Sequence, residues 1–298
     1  MSDTPFRGTG PALVTPFLAS GEVDLDAHAR LVERALAGGV DFLVPCGTTG
    51  ESATLDPEEQ AEVIRRTVEV AAGRVPVLAG AGANSTAVAA ELARGAAGVG
   101  ADGVLVVTPY YNKPSVDGLK LHYAAVARAG LPIVLYNVPG RTGANLTPAA
   151  LFEVHGAVPS ICGVKEAAGD LAQFQAIVER RPEGFAVLSG DDELAVAECA
   201  VGGDGLISVV ANEDPAGTTQ MIAAARGGDL ARARHHLYRL LPLIRANFLE
   251  SNPGPVKAAM ARMGLIDARL RPPLAPVRPD TLSRLAGALA HAELLDPA

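Results

Sequence analysis

The chain has 298 residues, a formal net charge of −8 and no run of Lys or Arg, which argues against nucleic acid or an anionic membrane surface as a partner. Apolar residues make up 49% and charged residues 19%, ample for a packed core and unlike a disordered chain. Any anionic substrate then has to be held by a local site rather than by the field of the whole molecule.

The opening "MSDTPFRGTG" has no basic segment leading into an apolar one, so no signal peptide is expected. No apolar run approaches the roughly 18 residues that a membrane span needs. Cys46, Cys162 and Cys199 are odd in number, widely spaced and set among apolar residues. That pattern fits reduced thiols in a cytosolic protein rather than a disulfide framework.

Short runs rich in Val, Leu and Ile recur along the chain: "GPALVTPF" (10–17), "DFLVPC" (41–46), "VPVLAGAG" (75–82), "GVLVVTPY" (103–110), "PIVLYNVP" (132–139), "ICGVKEA" (161–167), "FAVLSGDD" (185–192) and "GLISVVAN" (205–212). Between them lie stretches with helical spacing. In "PEEQAEVIRRTVEVAAG" (57–73), Ala61, Ile64, Val68 and Ala71 form one stripe, while Glu62, Arg65, Arg66 and Glu69 face away. Glycines close the helices at "AGGVD", "AAGVGADG" and "VGGDG". Eight strands alternating with helices predict an α/β fold, a (β/α)8 TIM barrel over residues 1–224. A doubly wound open sheet is the alternative. After residue 213 the strand pattern stops, and 225–298 reads as a small C-terminal helical region interrupted by "ESNPGP" and "RLRPPLAPVRP".

Polar residues collect after the strands, in "GTTGES", "GAN", "YYNKP", "NVPGRTG", "SGDD" and "VAN", whereas the segments entering them ("GRVP", "GADG", "AGLP") are bland. Parallel barrels gather their chemistry at the carboxyl ends of their strands, so this asymmetry predicts an enzyme. Within the sixth run, Lys165 stands where the pattern calls for an apolar residue. Its stem could pack while its head reaches water. Alternatively the amine sits inside the barrel, desolvated enough to be neutral, and attacks a ketone to form a Schiff base.

"GTTGES" (47–52) offers two hydroxyls and closely spaced N–H groups that can cradle a carboxylate without a cation, or it is an ordinary capped turn. Glu51 could anchor it. Three of the five tyrosines, Tyr110, Tyr111 and Tyr136, lie at strand ends, where phenols relay protons or simply pack. Arg141 has the planar fork that suits a carboxylate, or is a surface residue. The six histidines lack metal-ligand spacing, and Asp191 and Asp192 read as loop scaffolding.

Taken together, "GTTGESATL", "TPYYNKPS", "LYNVPGRTG", "GVKEAAGD", "LSGDD", "ISVVAN" and "NPGPVK" resemble the dihydrodipicolinate synthase (4-hydroxy-tetrahydrodipicolinate synthase) family of pyruvate-dependent class I lyases, from about residue 7 to the C-terminus. The resemblance implies condensation of pyruvate with L-aspartate 4-semialdehyde, in diaminopimelate and lysine biosynthesis, with no metal or organic cofactor. Lys165 matches the Schiff-base lysine, Thr48 and Thr49 the carboxylate loop, and Tyr136 the proton-transferring phenol. Thr48 and Tyr111 complete the relay, with Tyr111 entering a neighbouring subunit's site. Arg141 matches the residue that receives the aldehyde's carboxylate. Gly190 and Ile207 match backbone positions lining the pyruvate pocket. A cytosolic homotetramer, a dimer of dimers, is implied.

An effector site for lysine is matched by Ser52, Ala53, Asn84 and Tyr110. Pro57 and Gln60 replace polar or aromatic residues there, and Val88 replaces a glutamate, so weak or absent inhibition by lysine is expected. Two other functions remain open to the sequence: another Schiff-base 2-keto acid aldolase or dehydratase of the same group, and a non-catalytic keto-acid-binding regulator.

Overall fold

Strands that are apolar on both faces cannot stay stable alone, and this chain buries them against one another and beneath helices. The computed structural model describes residues 4–295; the opening residues 1–3 and the last three residues of the C-terminal region, 296–298, lie outside the described residues. The strands are β1 (Gly8–Pro11), β2 (Leu78–Gly80), β3 (Gly103–Val107), β4 (Ile133–Asn137), β5 (Ile161–Glu166), β6 (Ala186–Ser189) and β7 (Gly205–Ser208). All pairings are parallel, in the order β1-β7-β6-β5-β4-β3-β2.

The two ends of this sheet meet through the second predicted strand, residues 41–46. Isolated parallel bridges, Ala12↔Val44 and Leu43↔Val77, join it to both neighbours. The Val44 N–H donates to Pro11 O at 3.1 Å and the Leu78 N–H to Leu43 O at 2.8 Å. Pro11, Pro45 and Pro76 have no N–H to give, which breaks what would otherwise be a continuous ladder. Eight staves thus close a (β/α)8 barrel, and the open doubly wound sheet is excluded.

Helices α1 (Leu25–Ala37), α2 (Pro57–Ala71), α3 (Thr86–Gly98), α4 (Val116–Ala127), α5 (Pro139–Thr142), α6 (Pro148–Ala157), α7 (Leu171–Arg180), α8 (Ala195–Ala200) and α9 (Pro215–Arg226) surround it. Asp56 caps α2, accepting from the Glu59 N–H at 2.7 Å while Glu59 reaches back to the Asp56 N–H, with Pro57 at the first helical position. The buried stripe of α2 is Gln60, Val63, Ile64, Thr67 and Ala71. It is rotated from the expected one, because two polar groups find partners inside: the Gln60 amide donates to Ser52 O, and the Thr67 hydroxyl meets His28 Nε2 at 2.8 Å.

Helices α10 (Leu230–Ala246), α11 (Gly254–Arg262) and α12 (Pro279–His291) form the C-terminal region, packed around Leu240, Leu243, Leu285 and Leu289. Helix α9 runs on to Arg226, so a seam drawn at residue 224 falls within its last turn. No described helix is long and apolar enough to cross a membrane. Cys46 and Cys199 are buried and Cys162 half-buried, all as free thiols.

The core has two layers. Phe42, Leu78, Leu105, Val134, Leu188 and Ile207 fill the barrel interior. Val104, Val106, Leu135, Val164 and Val187 face the helices. Alternation along β5 therefore turns Lys165 inward and its neighbours Val164 and Glu166 outward.

Candidate active site

At the carboxyl end of the barrel lies a cavity of about 410 Å³, walled by the loops after the strands and closed over by α10. Lys165 projects into it from β5 and is only 7% exposed. Burial holds its amine down to about 8; Asp192 nearby pulls the other way, and Arg141 adds to the depression. A Lys at such a place carries a substantial neutral fraction near physiological pH.

Tyr136 stands beside it, one strand over. The two are register partners in the β4–β5 ladder, with Lys165 Nζ 4.3 Å from the centre of the phenol ring. Burial pushes the phenol up to about 12, against the pull of the Arg141 charge and of a hydrogen bond with the Thr48 side chain. The half-buried Thr48 thus sits with the buried Tyr136 and Lys165 in one polar group.

The 47–52 loop is stiffened from several sides. The Gly50 N–H turns back on Gly47 O (3.1 Å), the Glu51 N–H on Thr48 O (3.1 Å), and Gly50 O accepts from the Thr15 hydroxyl (2.7 Å). Thr49 Oγ1 accepts from Asn252 Nδ2 at 2.9 Å. The N–H groups of Thr48 and Thr49 meet no acceptor among the described residues, so both remain available to an anion.

Glu51 has a left-handed backbone, φ 54°, and its carboxylate turns away from the cavity to Lys257 Nζ at 2.7 Å. Both side chains of that pair are fully buried. Lys257 also donates to Thr15 O (2.8 Å), and the Arg271 N–H donates to the other Glu51 oxygen (3.1 Å).

The remaining expected residues divide. Arg141, on α5, is exposed and lines the cavity mouth, with one long bond from Nη2 to Asn252 O at 3.5 Å. Gly190 lines the cavity; an added Cβ would lie 2.9 Å from Lys165 Cε and 2.6 Å from Ala167 Cβ, so only glycine lets the lysine stem pass. Ile207 is packed in the barrel interior, one residue before β7 ends, and is not among the residues lining the cavity. Tyr111 is 89% exposed, left-handed at φ 71°, and outside this chain's cavity.

Ser52, Ala53, Tyr110, Pro57, Gln60 and Val88 share a second cavity of about 540 Å³. Asn84 is not on its wall; its carbonyl is taken by Asn112 Nδ2 at 2.9 Å.

Three features escape a reading of the sequence. Asn252 and Lys257, the two ends of "NPGPVK", brace the loop from about 200 positions away, a role that the motif itself does not announce. Asp192 is buried and close enough to act on the Lys165 charge. It accepts from Ser208 Oγ (2.5 Å) and the Val209 N–H (3.0 Å), and is pushed up to about 6 by burial. Scaffolding is one of its roles, and a compensating charge for Lys165 is the other. Arg245 and Glu193 form an ion pair at the rim.

The model of the dihydrodipicolinate synthetase family matches residues 5–292. A 4-hydroxy-tetrahydrodipicolinate synthase of Koribacter versatilis is 50% identical over 291 residues, 97% of each chain. The dihydrodipicolinate synthase structure from Thermotoga maritima superposes with a TM-score of 0.95 at 42% identity, covering 98% of this chain and all of that one. That of the Acinetobacter baumannii enzyme, solved with pyruvate, does so at 0.94 and 42%, covering 97% and 99%. Agreement of this extent takes in the barrel and the C-terminal helices alike, and the chain belongs to the dihydrodipicolinate synthetase family.

Proposed function

We propose that the protein is a 4-hydroxy-tetrahydrodipicolinate synthase that captures pyruvate on Lys165 and condenses it with L-aspartate 4-semialdehyde. The observation that carries this is the buried Lys165 amine, held at about 8 and 4.3 Å from the Tyr136 ring centre. The neutral amine adds to the pyruvate ketone and water leaves, giving an iminium. The free N–H groups of Thr48 and Thr49 hold the pyruvate carboxylate. The iminium draws electrons from the methyl carbon, which loses a proton to the Tyr136–Thr48 relay and becomes the enamine carbon.

That carbon attacks the aldehyde of the second substrate, whose carboxylate rests on Arg141. The acceptor's amino group then adds to the iminium carbon, closing the ring and expelling Lys165 as the amine. One water is lost overall, and the lysine returns unchanged.

The relay gains its third member, Tyr111, from a second copy of the chain. Its 89% exposure and left-handed backbone suit a side chain presented outward. A homotetramer with Tyr111 exchanged within pairs is therefore the proposed assembly, and three free thiols suit a cytosolic setting.

The experiment is borohydride trapping with pyruvate across pH, read by peptide mass spectrometry. The proton must leave the lysine before attack, and its release is centred near pH 8. Initial trapping rates are expected to rise about tenfold per pH unit below that point and to level above it. A rate still climbing tenfold per unit at pH 9.5 would mean an ordinary, solvated lysine and would sink the assignment. An adduct that forms only with longer keto acids would favour a related aldolase or dehydratase.

Inhibition by lysine is expected to be weak. In the second cavity the carboxylate of Glu51 is committed to Lys257, and Arg141 adds positive charge. Half-inhibition by submillimolar lysine in a steady-state assay, on the order of metabolite levels, would contradict this.

A further inference from the structure

Lys165 ends β5, and the sheet order places β4 on one side of it and β6 on the other. The segment after β4 carries Arg141; the segment after β6 carries Asp191 and Glu193. All of them line one cavity, so the lysine is bracketed by charged groups on both flanks. The flanks differ in one respect. Arg141 is nearly free, whereas on the β6 side the cation is masked: Arg245 of α10 sends Nε (3.1 Å) and Nη2 (2.6 Å) to a single oxygen, Glu193 Oε1. Glu193 is itself held in place, because its N–H donates to Asp191 Oδ1 at 2.9 Å.

Side chains 62% and 41% exposed make a pair that water screens and that an incoming carboxylate can exchange into without uncovering a buried charge. A guanidinium is suited to such exchange, since its fork fits any carboxylate that presents two oxygens. We infer, resting on the function proposed above, that Arg245 is a specificity-determining residue for the aldehyde acceptor. It is a second cation, on the flank of the Schiff base opposite Arg141, that receives the acceptor's single carboxylate on entry at the rim, when Glu193 releases it, and passes it on to Arg141. Pyruvate's own carboxylate is occupied at Thr48 and Thr49, so Arg245 acts on the acceptor alone. Glu193 is then a competitor for the same cation, and the two residues have opposite effects.

The full-length protein with Arg245→Gln is expected to raise the KM for the acceptor about three- to tenfold, with the KM for pyruvate and the trapped adduct unchanged. Glu193→Gln frees the guanidinium and is expected to lower the acceptor KM about two- to threefold. The double variant should behave as Arg245→Gln alone. If both single variants raise the acceptor KM together, the pair only braces α10 against the β6 loop and the proposal fails. It fails equally if neither moves that KM. A wild-type protein that forms no pyruvate adduct would strike the function itself, an outcome distinct from an intact adduct with unmoved acceptor constants.

Discussion

Replacing Lys165 with Ala is expected to abolish the borohydride-stable pyruvate adduct and to lower turnover by at least about a thousandfold, since the covalent route has no other start. The fold should survive, because the side chain ends in a cavity of about 410 Å³ rather than in the packed interior. Circular dichroism and the oligomeric state serve as controls. Tyr136→Phe provides the contrast: the amine is still present, so the adduct still forms, while loss of the phenolic proton slows turnover about a hundredfold or more. Adduct on another lysine in the Lys165→Ala protein, with turnover retained, would remove Lys165 from the mechanism.

Lys257→Met is expected to destabilise the protein by about 3–5 kcal/mol, the penalty of leaving the Glu51 carboxylate buried without its cation. Lys257 is 0% exposed, lies 4.3 Å over the Phe17 ring, and donates to both Glu51 and Thr15 O. Denaturant unfolding of the assembled protein gives the magnitude. Adding Glu51→Gln removes the stranded charge and should recover a good part of the loss. Equal loss in single and double variants would show that packing around the lysine stem, not charge pairing, sets its contribution.

Most of the barrel was legible in the sequence because a buried parallel strand has one pattern: a short Val/Leu/Ile run that ends in turn residues. Closure was not legible. It depends on two single-residue bridges at Val44 and Leu43, which no periodicity records. Apolar spacing alone misplaces the α2 stripe, because Gln60 and Thr67 are buried through specific hydrogen bonds.

Within the site, Lys165, Tyr136 and Arg141 stood out as residue types at odds with their surroundings or set at strand ends, and the fold brings all three to one cavity. Ile207 could be placed only by resemblance, and a backbone match does not say whether a side chain faces the mouth or the core below it. Arg245 and Glu193 gave no signal, since charged residues on helix surfaces and in loops are everywhere common.

The tie between the 47–52 loop and the far end of the chain also bears on synthesis. Every barrel stave is complete once Ser208 has been made, yet the braces on the carboxylate loop come from Asn252, Lys257 and the Arg271 backbone. A chain emerging from the ribosome, or one shortened by a late stop codon or a protease, can therefore hold Lys165 on a formed strand while the loop that receives its substrate stays unbraced. Completion of the strands and bracing of the carboxylate loop are thus divided by some sixty residues of translation.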